Sequence, residues 1–351
     1  FRNDNFRVSA NYFAKFLNSG DPIELNTRND AIARLGDSYF MLKDYGRAMD
    51  QYNQLMRSKA KTQDYALFQS GIIKGLQGDT DGKISVMTDL LARYPNSNYA
   101  DDASFEIPYT FFLKGENEVA IQGLQDMIEK YPRSSYVPRA LVTIGLVQYN
   151  SDNNDAAVKT FQRVVEQYPT TQEAKQALKS IQNVYIDKGD AQGFLDYAGT
   201  TAIGDLSTAE QDNITFQVAN NYFSRGDYQA AIDAVNAYFD KFPKPIQEKF
   251  ARFIRAESLY KTGHPQEALH DFNIILNDWT SAYTERTLLS VSSLYLDQKK
   301  YNDAIAPLKK LELTAEYKSH YSFAINNLMV AYFNIHDFDN TLMYARYVKE
   351  Y

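Results

Sequence analysis

Cysteine is absent from the 351 residues, and that removes disulfides, thiolate metal sites and thiol nucleophiles together. Histidine is scarce as well. His264, His270, His320 and His336 include no pair three or four apart, the spacing that sets two ligands on one helix face. The sequence contains no glycine-rich phosphate loop and no nucleophile elbow. No cofactor is expected, and no enzyme. Lys and Arg number 37 against 44 Asp and Glu, for a net charge of −7. No basic cluster is large enough to track a phosphate backbone, so nucleic acid is excluded as a partner. The longest apolar stretch, near Ala140 to Val147, falls far short of the roughly 20 residues that a transmembrane helix needs.

What the chain does have is a period. Tyr94-Pro95-Asn96-Ser97-Asn98-Tyr99 returns as Tyr131-Pro132-Arg133-Ser134-Ser135-Tyr136 and again as Tyr168-Pro169-Thr170-Thr171, each time 37 residues on. Two periods later Phe242-Pro243 takes the same place. A fixed period of this length marks a stacked repeat array, in which each unit buries its apolar face only against its neighbours. Unit starts fall near Asn29, Asp64, Asp101, Pro138, Lys175, Asp212, Lys249, Glu285 and Ser322.

Each unit reads as a pair of helices. The first carries an apolar residue followed by a small one, as in Leu35-Gly36, Ile144-Gly145 and Val218-Ala219. A turn built from Asp, Gly and Asn follows, for example Gly226-Asp227-Tyr228 or His336-Asp337-Phe338. The second helix has a small residue at its closest crossing: Ala48, Ala120, Ala157, Ala231, Ala268 or Ala304. A bulky residue stands four further on, such as Tyr52, Leu124, Phe161, Phe272 or Leu308, on the same helix face. The helix then stops at an aromatic-proline pair.

These small and aromatic positions resemble those of the tetratricopeptide repeat, with about three extra residues in the connection between units. The Tyr-Pro-x-Ser-x-Tyr-x-x-x-Ala junction (Tyr94, Pro95, Ser97, Tyr99 and Ala103, then Tyr131, Pro132, Ser134, Tyr136 and Ala140) looks like the bacterial cell-envelope branch of that family. That branch includes the Tol-Pal coordinating protein and the outer-membrane assembly lipoprotein. The resemblance implies an all-α fold, a right-handed α-solenoid of stacked antiparallel helix pairs. Residues 1–28 are expected to hold the second helix of a leading repeat, 29–211 units one to five, and 212–351 units six to nine. The fifth unit departs from the pattern, with Phe194 in the alanine slot and Gln182 in the glycine slot, and looser packing is expected there.

Four local features compete with this plan. Gly78-Asp79-Thr80-Asp81-Gly82 has part of a calcium loop but lacks the later acidic ligands, and it falls on an inter-helix turn, as does Asp152-Asn153-Asn154-Asp155. Trp279, the one tryptophan, occupies the junction slot of Tyr94, Tyr131, Tyr168 and Phe242 and is expected to pack there. Pro108 stands where a small residue belongs, mid-way along a first helix, and predicts a kink.

In the resembled family the first helices line a concave surface on which partners bind. Projecting the register onto that face gives Phe40, Phe105, Tyr109, Phe112, Tyr149, Phe216, Asn220, Phe223, Phe253, Tyr260 and Phe333, with Asp37, Glu257 and Val330 beside them. Aromatic side chains offer large contact area at small entropic cost, which suits peptide recognition. A chaperone-type carboxylate clamp is set aside, because Ala33, Phe105 and Phe216 stand where its lysine would. The expectation is a protein-interaction scaffold for a protein or peptide partner. It is placed in the periplasm or at the outer membrane, with any signal or lipobox outside this stretch, or alternatively in the cytoplasm. A glycan or peptidoglycan-fragment binder, and a regulatory array of a larger multidomain protein, are the other readings.

Overall fold

The structure is a computed structural model that describes residues 5–58, 62–277 and 282–350. Among these it contains nineteen helices and no strand. Helix α1 spans Phe6–Leu17. The first helices of the nine pairs are α2 (Leu25–Met41), α4 (Gln63–Leu76), α6 (Ala100–Leu113), α8 (Val137–Asn150), α10 (Gln172–Lys188), α12 (Thr208–Arg225), α14 (Glu248–Lys261), α16 (Thr284–Asp297) and α18 (Lys318–Asn334). Their partners are α3 (Tyr45–Arg57), α5 (Thr80–Arg93), α7 (Asn117–Lys130), α9 (Asn154–Gln167), α11 (Ala191–Gly199), α13 (Tyr228–Lys241), α15 (Pro265–Leu276), α17 (Tyr301–Thr314) and α19 (Phe338–Glu350). The chain is an α-solenoid of stacked helix pairs, divided within α10 into two compact units, Phe1–Ser180 and Ile181–Tyr351.

Why the pairs close so tightly follows from the crossing. Ala48, Ala120, Ala157, Ala231, Ala268 and Ala304 have no exposed surface, and neither do Tyr52, Leu124, Phe161, Phe272 and Leu308 four residues on. Tyr52 and Phe161 lie against a glycine of the facing first helix. A methyl group added to Gly36 would lie 2.8 Å from Tyr52 Cε1, and one added to Gly145 would lie 2.5 Å from Phe161 Cε1. Only a residue without a side chain leaves room for the ring at that crossing.

Pro108 obeys the same rule with the sizes exchanged. It sits buried in α6 at the slot held elsewhere by glycine, and Gly123 of α7 stands across from it, where a methyl group would be 2.7 Å from Pro108 Cβ. The helix continues unbroken from Ala100 to Leu113. The proline is thus accommodated by a glycine in the partner helix.

Turns and ends are chemically explicit. Lys43, Gly78, Gly226 and His336 adopt left-handed backbone, and the next residue, Asp44, Asp79, Asp227 or Asp337, accepts a hydrogen bond from the N–H three residues on. That carboxylate caps the following helix. Asp79 also pairs with Lys74 at 2.7 Å and Asp81 with Lys114 at 3.0 Å, so the segment that shares part of a calcium loop serves as a capped turn. Helices α5, α7, α9 and α13 end with Tyr94, Tyr131, Tyr168 and Phe242 as C-caps, immediately before proline. Trp279 lies outside the described residues.

The fifth pair differs as its sequence does. Helix α11 has nine residues where α5, α7, α9, α13 and α17 have fourteen. Phe194 is nonetheless buried at 1% exposure, and Gln182 is buried with its Nε2 donating to Gln217 Oε1 at 3.3 Å. Two clefts of about 460 and 540 Å³ flank this short helix, sharing Gln192 and Lys241 in their walls.

Ala231→Leu should overpack the α12–α13 crossing and cost about 1–3 kcal/mol, read as a lowered denaturant midpoint. Gly46→Ala has nothing within 4 Å of the added methyl and should leave stability unchanged or slightly raised.

Candidate interaction face of the first helices

The repeat junction positions the first helices, and its chemistry is an acid at the start of one unit reaching the turn that ends it. Ser97 Oγ donates to Asp64 Oδ2 at 2.6 Å, and Ser134 Oγ donates to Asp101 Oδ2 at 2.6 Å. Each serine oxygen in turn accepts from the N–H of Tyr99 or Tyr136. In the second compact unit Asp212 accepts from the Tyr238 hydroxyl at 2.5 Å and the Ile246 N–H at 3.1 Å. Glu285 accepts from the N–H of Glu316 at 3.1 Å and lies 2.7 Å from His320 Nδ1. Asp64, Asp101 and Glu285 stand in the first turn of their helices, so the charge also complements the helix N-terminus. The turn's polar groups are satisfied by this acid, which fixes the stagger between units.

On that frame the predicted face residues separate by depth. Phe105, Phe216 and Phe253 are buried at 0%, 5% and 2% exposure, which corrects their placement on a contact surface. The reason is the neighbouring unit's junction tyrosine: Tyr136 stacks on Phe105 at 4.7 Å and Tyr283 on Phe253 at 5.9 Å. Phe216 is enclosed by Tyr238 and Phe250, at 5.6 and 5.3 Å. The others keep accessible surface. Phe40, Tyr109, Phe112, Tyr149, Asn220, Phe223 and Tyr260 are half-buried, and Phe333 is 57% exposed.

Only some of these meet. Phe105, Tyr109 and Phe112 form one file along α6, with ring centroids 5.2 and 5.8 Å apart. Phe40 lies against Tyr45, Phe223 against Tyr228, and Phe333 against Phe338, each beside the turn of its own pair. The Tyr260 hydroxyl donates to Asp297.

Several polar residues on or beside the first helices were not singled out by the repeat pattern. Arg139 sets its guanidinium 4.7 Å from the Tyr109 ring and 5.2 Å from that of Phe105. Arg286, in the equivalent register of the second compact unit, lies 4.7 Å from Phe253. Asp271 is almost fully buried and is held by Arg252 and Arg255, whose guanidinium groups also lie near the Phe239 ring. For Arg139 and Arg286 the signal was the spacing of an arginine one residue after a unit start, which aromatic counting passes over.

Two carboxyls on first helices are pushed above the usual range. Burial raises Asp37 despite hydrogen bonds from Tyr65 and Tyr52, and burial likewise raises Asp102 despite the Tyr136 hydroxyl at 2.9 Å. Burial and the bond to Asp102 push Tyr136 up to about 12. Among the described residues no group of side chains could hold a metal ion, and no helix is long and apolar enough to cross a membrane.

Helix pairs closed over glycine and alanine slots give this chain the repeat pattern that tetratricopeptide-repeat proteins show. Its residues 59–184, about a third of the chain, match the sequence model of the YfiO family, described as outer membrane lipoprotein, and the chain resembles the cell-envelope branch of the repeat. None of the curated proteins matches it significantly. Among solved structures, a tetratricopeptide repeat protein from Parabacteroides merdae is 15% identical, with 85% of this chain and 98% of that one covered at a TM-score of 0.37. MamA from Desulfovibrio magneticus RS-1 is 16% identical, with 50% of this chain and 93% of that one covered at a TM-score of 0.40.

An acid whose folded pKa is raised contributes stability while protonated, below its unfolded pKa, and loses that contribution as pH rises through the folded value. Asp37→Asn should therefore gain in melting temperature relative to the parent as pH is raised from about 3 to about 7. A constant difference across that range would contradict the buried carboxyl.

Proposed function

We propose that this chain is a non-catalytic scaffold of the bacterial cell envelope that docks a partner protein segment on the first-helix face of its first compact unit. The observation that carries this reading is the half-buried pair Tyr109 and Phe112, held in one file with the buried Phe105 and flanked by Arg139. Phe105 anchors the file in the core, so the two outer rings are preorganised and lose little entropy on binding. Rigid aromatic anchors beside an arginine are the composition enriched at binding hot spots. The match of residues 59–184 to an outer membrane lipoprotein family includes this helix and supports the envelope assignment.

Other face residues contribute less. Phe40, Phe223, Tyr260 and Phe333 each sit alone or against a turn aromatic, and they extend the surface without forming a comparable cluster. The geometry is suited to an extended or helical segment laid across the first helices.

Tyr109→Ala combined with Phe112→Ala should abolish partner capture from an envelope fraction while the circular-dichroism melt stays within a few degrees of the parent. Loss of a central aromatic pair corresponds to about 2 kcal/mol or more of binding. Unchanged capture by the folded variant would remove this face from the function.

A further inference from the structure

We propose that Arg139 is a carboxylate-anchoring residue: it fixes an acidic side chain of an acidic-aromatic peptide segment lying on Tyr109 and Phe112. This rests on the docking face proposed above and names the chemistry of its occupant. Arg139 is exposed, and its guanidinium is spread over the Tyr109 and Phe105 rings at 4.7 and 5.2 Å. One planar face is thereby spent on the aromatics, while the N–H edge remains for a ligand.

The protein's own acids do not use that edge. Among the described residues no carboxylate pairs with Arg139. The two acids of α6 in its neighbourhood are already engaged: Asp102 accepts from Tyr136 at 2.9 Å, and Glu106 is paired with Lys83 at 2.5 Å. Elsewhere arginines are consumed structurally, as Arg252 and Arg255 are by the buried Asp271. Arg286 supplies an independent copy of the geometry. It too lies over a buried phenylalanine of the preceding first helix, Phe253, in the same register and without a carboxylate partner among the described residues. Aromatic surface and a pre-positioned fork together fit a planar carboxylate flanked by apolar side chains. A phosphate dianion fits less well, because a single guanidinium balances only one of its two charges.

The test is fluorescence anisotropy with a fluorescein-labelled peptide of alternating Phe and Asp, alongside its Phe and Asn counterpart. The 351-residue chain carrying Arg286→Gln is used throughout, so that only the first compact unit is read. Arg139→Gln should weaken the Asp peptide by about tenfold and leave the weaker Asn peptide unchanged. Arg133→Gln, an exposed arginine of the junction, should change neither. Equal binding of the two peptides overturns the proposal, as does no binding of the Asp peptide or an equal loss in Arg133→Gln. Preferential binding to phosphatidylglycerol vesicles, lost in Arg139→Gln, would also overturn it. If Arg139→Gln has no effect while Tyr109→Ala with Phe112→Ala abolishes peptide binding, the aromatic face stands and the carboxylate anchor falls. If neither has an effect, both fall.

Discussion

A ring cannot lie at a helix crossing unless the facing helix gives up a side chain there. Tyr52 against Gly36 and Phe161 against Gly145 state that constraint directly, since even a methyl group would stand closer than 3 Å to the ring. With the crossing closed, the alanine four residues earlier meets the same helix, and both become fully buried. Buried area of this kind is the dominant favourable term, while the close fit makes one arrangement of the pair unique. The Pro108–Gly123 pair shows that the constraint concerns summed volume at the crossing, because large and small may exchange helices. Stacking then repeats the solution, and each unit finishes the burial of its neighbour.

The junction converts a string of pairs into an array with a defined stagger. An acid in the first turn of a unit stabilises its own helix N-terminus and also receives the polar groups of the turn leading to the next unit. One charge thus serves two elements. The junction tyrosine does something else: by stacking over Phe105 or Phe253 it seals the inner end of the first-helix face. What remains accessible is the outer part of that face, the surface to which the proposed docking and the anchor at Arg139 belong.

Much of this was legible from residue spacing. The period, the small-residue seam, the aromatic-proline terminators and the unusual fifth pair all correspond to observed elements, because each is a local consequence of helix geometry and backbone sterics. The depth of face residues was not legible. Phe105 and Tyr109 are four apart on one stripe, and helical periodicity places them together without saying which is covered. That depends on Tyr136, which belongs to the next unit. Arg139 escaped notice for a related reason, since its meaning lies in rings contributed by another helix.

By itself the sequence determined an all-α repeat of helix pairs, the positions where side chains must be absent, and the places where each helix stops. These are short-range requirements, met within a single helix or a single helix pair. Tertiary structure alone decided which aromatics became core, which acids became clamps between units, and which arginines were left with a free edge. Such outcomes depend on contacts between residues some 33 to 35 apart, as between Asp101 and Ser134 or Glu285 and His320, and only packing brings those side chains together.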